Sequence, residues 1–88
     1  MSAKDRLSVV PASEAVRAAF VALDTLQTSP PAYQVAAISV LFKEFSEGLG
    51  ISPSELLDKA RRWTADNDTF FQREVKALRD YVQQEVRK

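Results

Sequence analysis

The sequence predicts an all-α fold: a compact bundle of four helices, about 12–27, 31–48, 53–65 and 68–87, with a loose N-terminal arm. Two observations carry that expectation. Apolar residues recur at spacings of three and four through four segments. The joints between those segments, Thr28-Ser29-Pro30-Pro31, Gly48 to Glu55 and Asp66-Asn67-Asp68-Thr69, hold helix stops and cap-forming side chains. The length of 88 residues fits one core, and an apolar content of 45% is enough to fill it. Residues 1–10 read as a flexible arm and 11–88 as a single helical domain.

In the first helix, Val16, Phe20, Leu23 and Leu26 share one face, and Ala15, Ala18, Ala19 and Ala22 thicken it. Those small side chains allow another helix to approach closely. Pro11 suits the first helical turn, where its missing N–H is not needed. Pro30-Pro31 ends this segment and permits the next to begin.

The second helix carries Val35, Ile38, Phe42, Phe45 and Leu49 on one stripe, and Tyr33, Ala37, Val40 and Leu41 on another. A helix apolar on two faces belongs in the middle of a bundle, so this one is expected to be central. Gly50 then suits a left-handed helix stop. Ser52, Pro53 and Glu55 open the third helix as a cap, a first-turn proline and the acid of a capping box. Leu56, Leu57, Ala60 and Trp63 are expected to face inward, the indole N–H finding a partner.

The fourth helix has Phe71, Val75, Leu78, Val82 and Val86 on one stripe and Phe70, Ala77 and Tyr81 on a second. Asp66, Asn67, Asp68 and Thr69 precede it as candidate caps. A calcium loop would need further alternating oxygen ligands and a glycine, which Thr69-Phe70-Phe71 does not supply.

Composition removes several functions. With no cysteine, neither a disulfide framework nor a thiolate metal site can form. With no histidine, the commonest general base and metal ligand is missing. Twelve basic side chains balance twelve acidic ones, so no net field draws the chain to nucleic acid or anionic lipid. No run reaches the roughly 18 apolar residues of a membrane span. Leu7-Ser8-Val9-Val10 is too short for a signal-peptide core, so the expected location is cytoplasmic. No nucleophile–base pair, phosphate loop or spaced carboxylate pair stands out. The chain therefore reads as a non-enzymatic protein with no cofactor and no metal.

Two surfaces remain as candidates. The surplus stripe of the fourth helix, with Phe70, Glu74, Ala77 and Tyr81, suggests a protein interface, with a second copy or another protein. The basic side of the same helix, with Arg73, Lys76, Arg79 and Arg87, could contact phosphates. Leu49-Gly50-Ile51-Ser52 also resembles the turn of a helix-turn-helix. The helix that follows it exposes Glu55 and Asp58 early, and carboxylates there repel phosphate. A helix stop and cap is the better account of that turn, and a DNA-binding regulator is the alternative reading.

From Leu23 to about Trp63 the chain resembles small helical proteins encoded by tailed bacteriophages and prophages. The residues that carry this are Leu23-Asp24-Thr25-Leu26-Gln27, Pro30-Pro31, Gln34-Val35 and the apolar helix running into Leu49-Gly50-Ile51-Ser52-Pro53. The resemblance implies no catalytic residues. It implies a protein that binds a host or phage component, in the host cytoplasm. The expected function is thus a small protein–protein interaction module working through its fourth helix.

Overall fold

In the computed structural model, which describes residues 2–65 and 72–87, five helices follow one another and no strand forms among those residues. They are α1 (Ala3–Ser8), α2 (Ala12–Leu26), α3 (Pro31–Leu49), α4 (Pro53–Trp63) and α5 (Gln72–Tyr81). A wider π turn, Val82–Val86, continues α5 and closes with the Arg87 N–H donating to the Val82 carbonyl at 2.9 Å. The expected four-helix bundle is α2 to α5. The candidate caps at residues 66–69, with Phe70 and Phe71, lie outside the described residues.

The expected arm contains the additional helix α1. Ser2 caps it, its hydroxyl accepting from the Asp5 N–H at 3.2 Å. Three contacts lay this segment along α4. Lys4 Nζ sits 3.2 Å from Glu55 Oε1 and 3.1 Å from Oε2. Lys59 Nζ donates to Ser8 Oγ at 3.5 Å, and Trp63 Nε1 donates to the Val10 carbonyl at 3.2 Å. The indole thus finds its partner in the segment that sequence reading leaves loose. Leu57, expected to face inward, is exposed instead.

The apolar centre lies between α2 and α5. Val16 and Val75 are buried there, and Ala12, Phe20 and Leu78 pack around them. Beside this centre, α2, α4 and α5 enclose a groove of about 230 Å³ lined by Ala15, Val16, Ala19, Ala60, Trp63, Thr64 and Leu78. Three of those seven are alanines, whose small side chains leave the groove open.

The joint from α3 to α4 is made by local chemistry. Gly50 takes φ 67° and ψ 28°, a left-handed conformation that a β-branched residue resists. The Ile51 N–H reaches back to the Ser46 carbonyl at 3.1 Å and the Gly50 N–H to Glu47 at 3.3 Å. This is the Schellman pattern, with Ile51 buried beneath it. Ser46 Oγ adds a bond to the Ile51 carbonyl at 2.5 Å. Ser52 then caps α4 by accepting from the Glu55 N–H at 3.2 Å. Only this half of the capping box is seen. The Glu55 carboxylate turns to Lys4, whose full charge is a stronger partner than a backbone N–H.

The position of α3 corrects the sequence expectation. It is not the buried centre of the bundle. Its buried residues are Gln34 and Ser46, both polar, whereas its large apolar side chains face outward. The molecule measures 39 × 31 × 19 Å, and the shortest of these holds two helix layers of about 10 Å each. In a two-layer slab no helix is wrapped on all sides, so a helix with two apolar stripes must leave one uncovered.

Candidate protein interface

Eight of the twelve large hydrophobic residues found exposed among the described residues belong to α3. They are Tyr33, Val35, Ile38, Val40, Leu41, Phe42, Phe45 and Leu49. Five of them, Val35, Ile38, Phe42, Phe45 and Leu49, repeat at spacings of three, four, three and four. That spacing places them in one seam, the pattern by which helices pair side by side. At 1.5 Å per residue the seam is about 21 Å long. Phe45 is 60% exposed, Ile38 50% and Phe42, at the middle, 38%.

The seam borders a shallow groove toward each end. Toward the N-terminus of α3, a groove of about 200 Å³ is lined by Leu23, Gln34, Val35, Ile38, Ser39, Tyr81, Val82 and Val86. Toward the C-terminus, one of about 400 Å³ is lined by Leu7, Phe42, Phe45, Leu49 and Leu56. The second is walled by apolar side chains of α1, α3 and α4. The helical arm therefore contributes to this surface through Leu7.

Both buried polar residues of α3 are hydrogen-bonded, and one of them reaches another helix. The buried Gln34 donates through Nε2 to the Ser29 carbonyl at 2.8 Å and accepts at Oε1 from the Tyr81 hydroxyl at 2.9 Å. At the other end Ser46 joins the Gly50–Ile51 turn. Both buried polar groups are bonded, so their burial carries no unpaired-group penalty. The charged residues of α3 lie away from the seam. Lys43 pairs with Glu44 at 3.3 Å and Glu47 at 3.2 Å. The positions flanking the seam hold Ser39, Leu41, Ser46 and Gly48, none of them charged.

The residues singled out on the fourth helix fall elsewhere. Glu74 and Ala77 are exposed, while Tyr81 is half-buried with its hydroxyl on Gln34. Phe70 lies outside the described residues. Among the basic residues, Lys76 pairs with Asp80 at 3.0 Å, and Arg79 donates to the Thr64 carbonyl at 3.2 Å. Arg87 donates to Gln83 Oε1 at 2.8 Å. Arg73 is exposed. On α4, Glu55 faces Lys4 and Asp58 pairs with Arg61 at 2.9 Å.

Among the described residues no group of three or more acidic side chains is placed to hold a metal ion, and no helix is long and apolar enough to cross a membrane. The seam of α3 is thus apolar, extended and uncharged. No protein-family model matches the chain, and no curated protein and no solved structure matches it either.

Proposed function

We propose that this chain is a non-enzymatic protein–protein interaction module whose contact surface is the apolar seam of α3. The observation that carries this is the exposure of eight large apolar side chains along α3, whose buried residues are only Gln34 and Ser46. An exposed seam of this size is costly in water unless something covers it. The sequence alone pointed to the fourth helix, and the exposure pattern favours α3. A phage or prophage origin, which the sequence resemblance implies, would set this work in the host cytoplasm.

The test is a photo-reactive residue placed at position 45 in the chain inside cells, with one at the exposed position 61 on α4 as control. The expected result is a discrete protein adduct from position 45 that position 61 does not give. An adduct pattern no different from the control would overturn the proposal.

A further inference from the structure

We propose that the occupant of the α3 seam is a second copy of this chain, with the two α3 helices packed antiparallel. This rests on the reading of α3 as an interaction surface and goes further by naming the partner.

Area is the first argument. The chain exposes 6672 Å². A compact monomer of its mass, 9.8 kDa, exposes about 5,200 Å². The surplus is about 1,500 Å², whereas a standard interface hides about 800 Å² per partner and obligate pairs hide more. The radius of gyration points the same way, 13.6 Å against about 12 Å for a compact chain of this length. The surplus of a single copy is therefore about twice what one partner of a standard interface hides, enough to supply a dimer contact.

Charge is the second argument. The seam and its flanks carry no charged side chain, and the chain has a net charge of zero. Two identical copies meet there without like-charge repulsion, and nothing on the seam selects an oppositely charged partner. A seam of alternating three and four spacing is also complementary to itself, as a two-fold interface requires.

Orientation follows from the layout of α3. Lys43, Glu44 and Glu47 lie off the seam, so the helix dipoles decide the orientation. A parallel pair would set the two negative C-terminal helix ends side by side. An antiparallel pair sets each C-terminal end beside the positive N-terminal end of the other.

Sedimentation equilibrium of the full chain, from low to high micromolar concentration, tests the pairing. The expected mass is twice the 9.8 kDa of the chain. Ile38→Asp and Phe45→Asp should each return the mass to that of one chain, with helical circular dichroism retained. If these variants fail to fold, cysteine coupling still reads the geometry, because the chain has no cysteine of its own. In the antiparallel pair Val35 of one copy lies near Leu49 of the other, while two Val35 residues are about 21 Å apart along the axis. A mixture of Val35→Cys and Leu49→Cys chains should therefore couple through a short thiol–thiol linker, and each variant alone should not. A mass of one chain at every concentration, or self-coupling of either cysteine variant, would overturn the proposal. If a single-chain mass accompanies a foreign adduct at position 45, self-pairing falls and the interaction reading stands. If position 45 gives no adduct, both fall.

Discussion

The α2–α5 contact and helix α3 are built from the same helical spacing of apolar residues and end in opposite situations. In the first, Val16 and Val75 turn toward each other and are only 3% exposed, with Phe20 and Leu78 closing around them. In the second, Val35, Ile38, Phe42, Phe45 and Leu49 line open grooves and stay between 38% and 60% exposed. The apolar residues of α2 and α5 hold the fold. Those of α3 keep surface available for contact outside it, and Gln34 ties the helix to Tyr81 by a hydrogen bond. A periodic stripe marks a face that needs cover, and only the three-dimensional arrangement shows whether the chain covers it.

The contrast can be broken from either side. The largest effect is expected in the α2–α5 centre. Val75→Asp would bury an unpaired charge, and a loss of about 4 kcal/mol or more is expected. Urea unfolding followed by circular dichroism would measure it, and in a domain this small the variant should be largely unfolded. Ile38→Asp makes the same kind of change on α3, and its effect belongs at the other end of the scale.

Next in size is the turn that sets the direction of α4 relative to α3. Gly50→Val forces a β-branched residue to the positive φ of 67° and should cost about 2 kcal/mol. Ser52→Ala removes only the cap hydroxyl and should cost about 1 kcal/mol. Equal midpoints for the two variants in a denaturant titration would show that the left-handed conformation is not needed.

Tyr81→Phe probes the polar attachment of α3. It removes the hydroxyl on Gln34 Oε1 and leaves a buried carbonyl oxygen without that donor, for an expected loss of about 1 kcal/mol. Amide exchange should then rise at the N-terminal half of α3 more than in α2. Uniform exchange across both helices would mean that α3 is held by apolar packing after all.

The smallest effect on folding is expected from Ile38→Asp itself. At a dilution where the wild-type chain is a single copy, its unfolding midpoint should correspond to a change within about 0.5 kcal/mol, as for other exposed positions. A loss comparable to that of Val75→Asp would place Ile38 in the core and erase the contrast.

Much of the fold is legible in the sequence because helix period and capping are local. Pro31, Gly50, Ser52 and Pro53 bound α3 and α4 through chemistry within a few residues of each. The arm is harder to read. Ser2 and Asp5 make a cap of their own, but the docking of α1 depends on Glu55, Lys59 and Trp63, which are about fifty residues away. The apolar stripes of α3 are also plain in the sequence, and they suggest a central helix. What periodicity cannot express is that Gln34 meets Tyr81, 47 residues away, a contact that buries its amide. The surplus stripe on the fourth helix drew attention for the same reason, since Tyr81 shares its face with Ala77 in sequence while its hydroxyl is used inside the fold.

The central claim is that the α3 seam faces out of the single chain and is covered on assembly. Ser39→Cys offers a direct measurement, because it places a thiol of nearly the same shape beside Ile38 in a chain with no other cysteine. Its rate of reaction with a soluble thiol reagent should be that of an exposed cysteine in dilute solution and should fall steeply as the protein is concentrated. A rate slow at every dilution would mean that the seam is buried within one chain, and a rate fast at every concentration would mean that nothing of its own kind covers it.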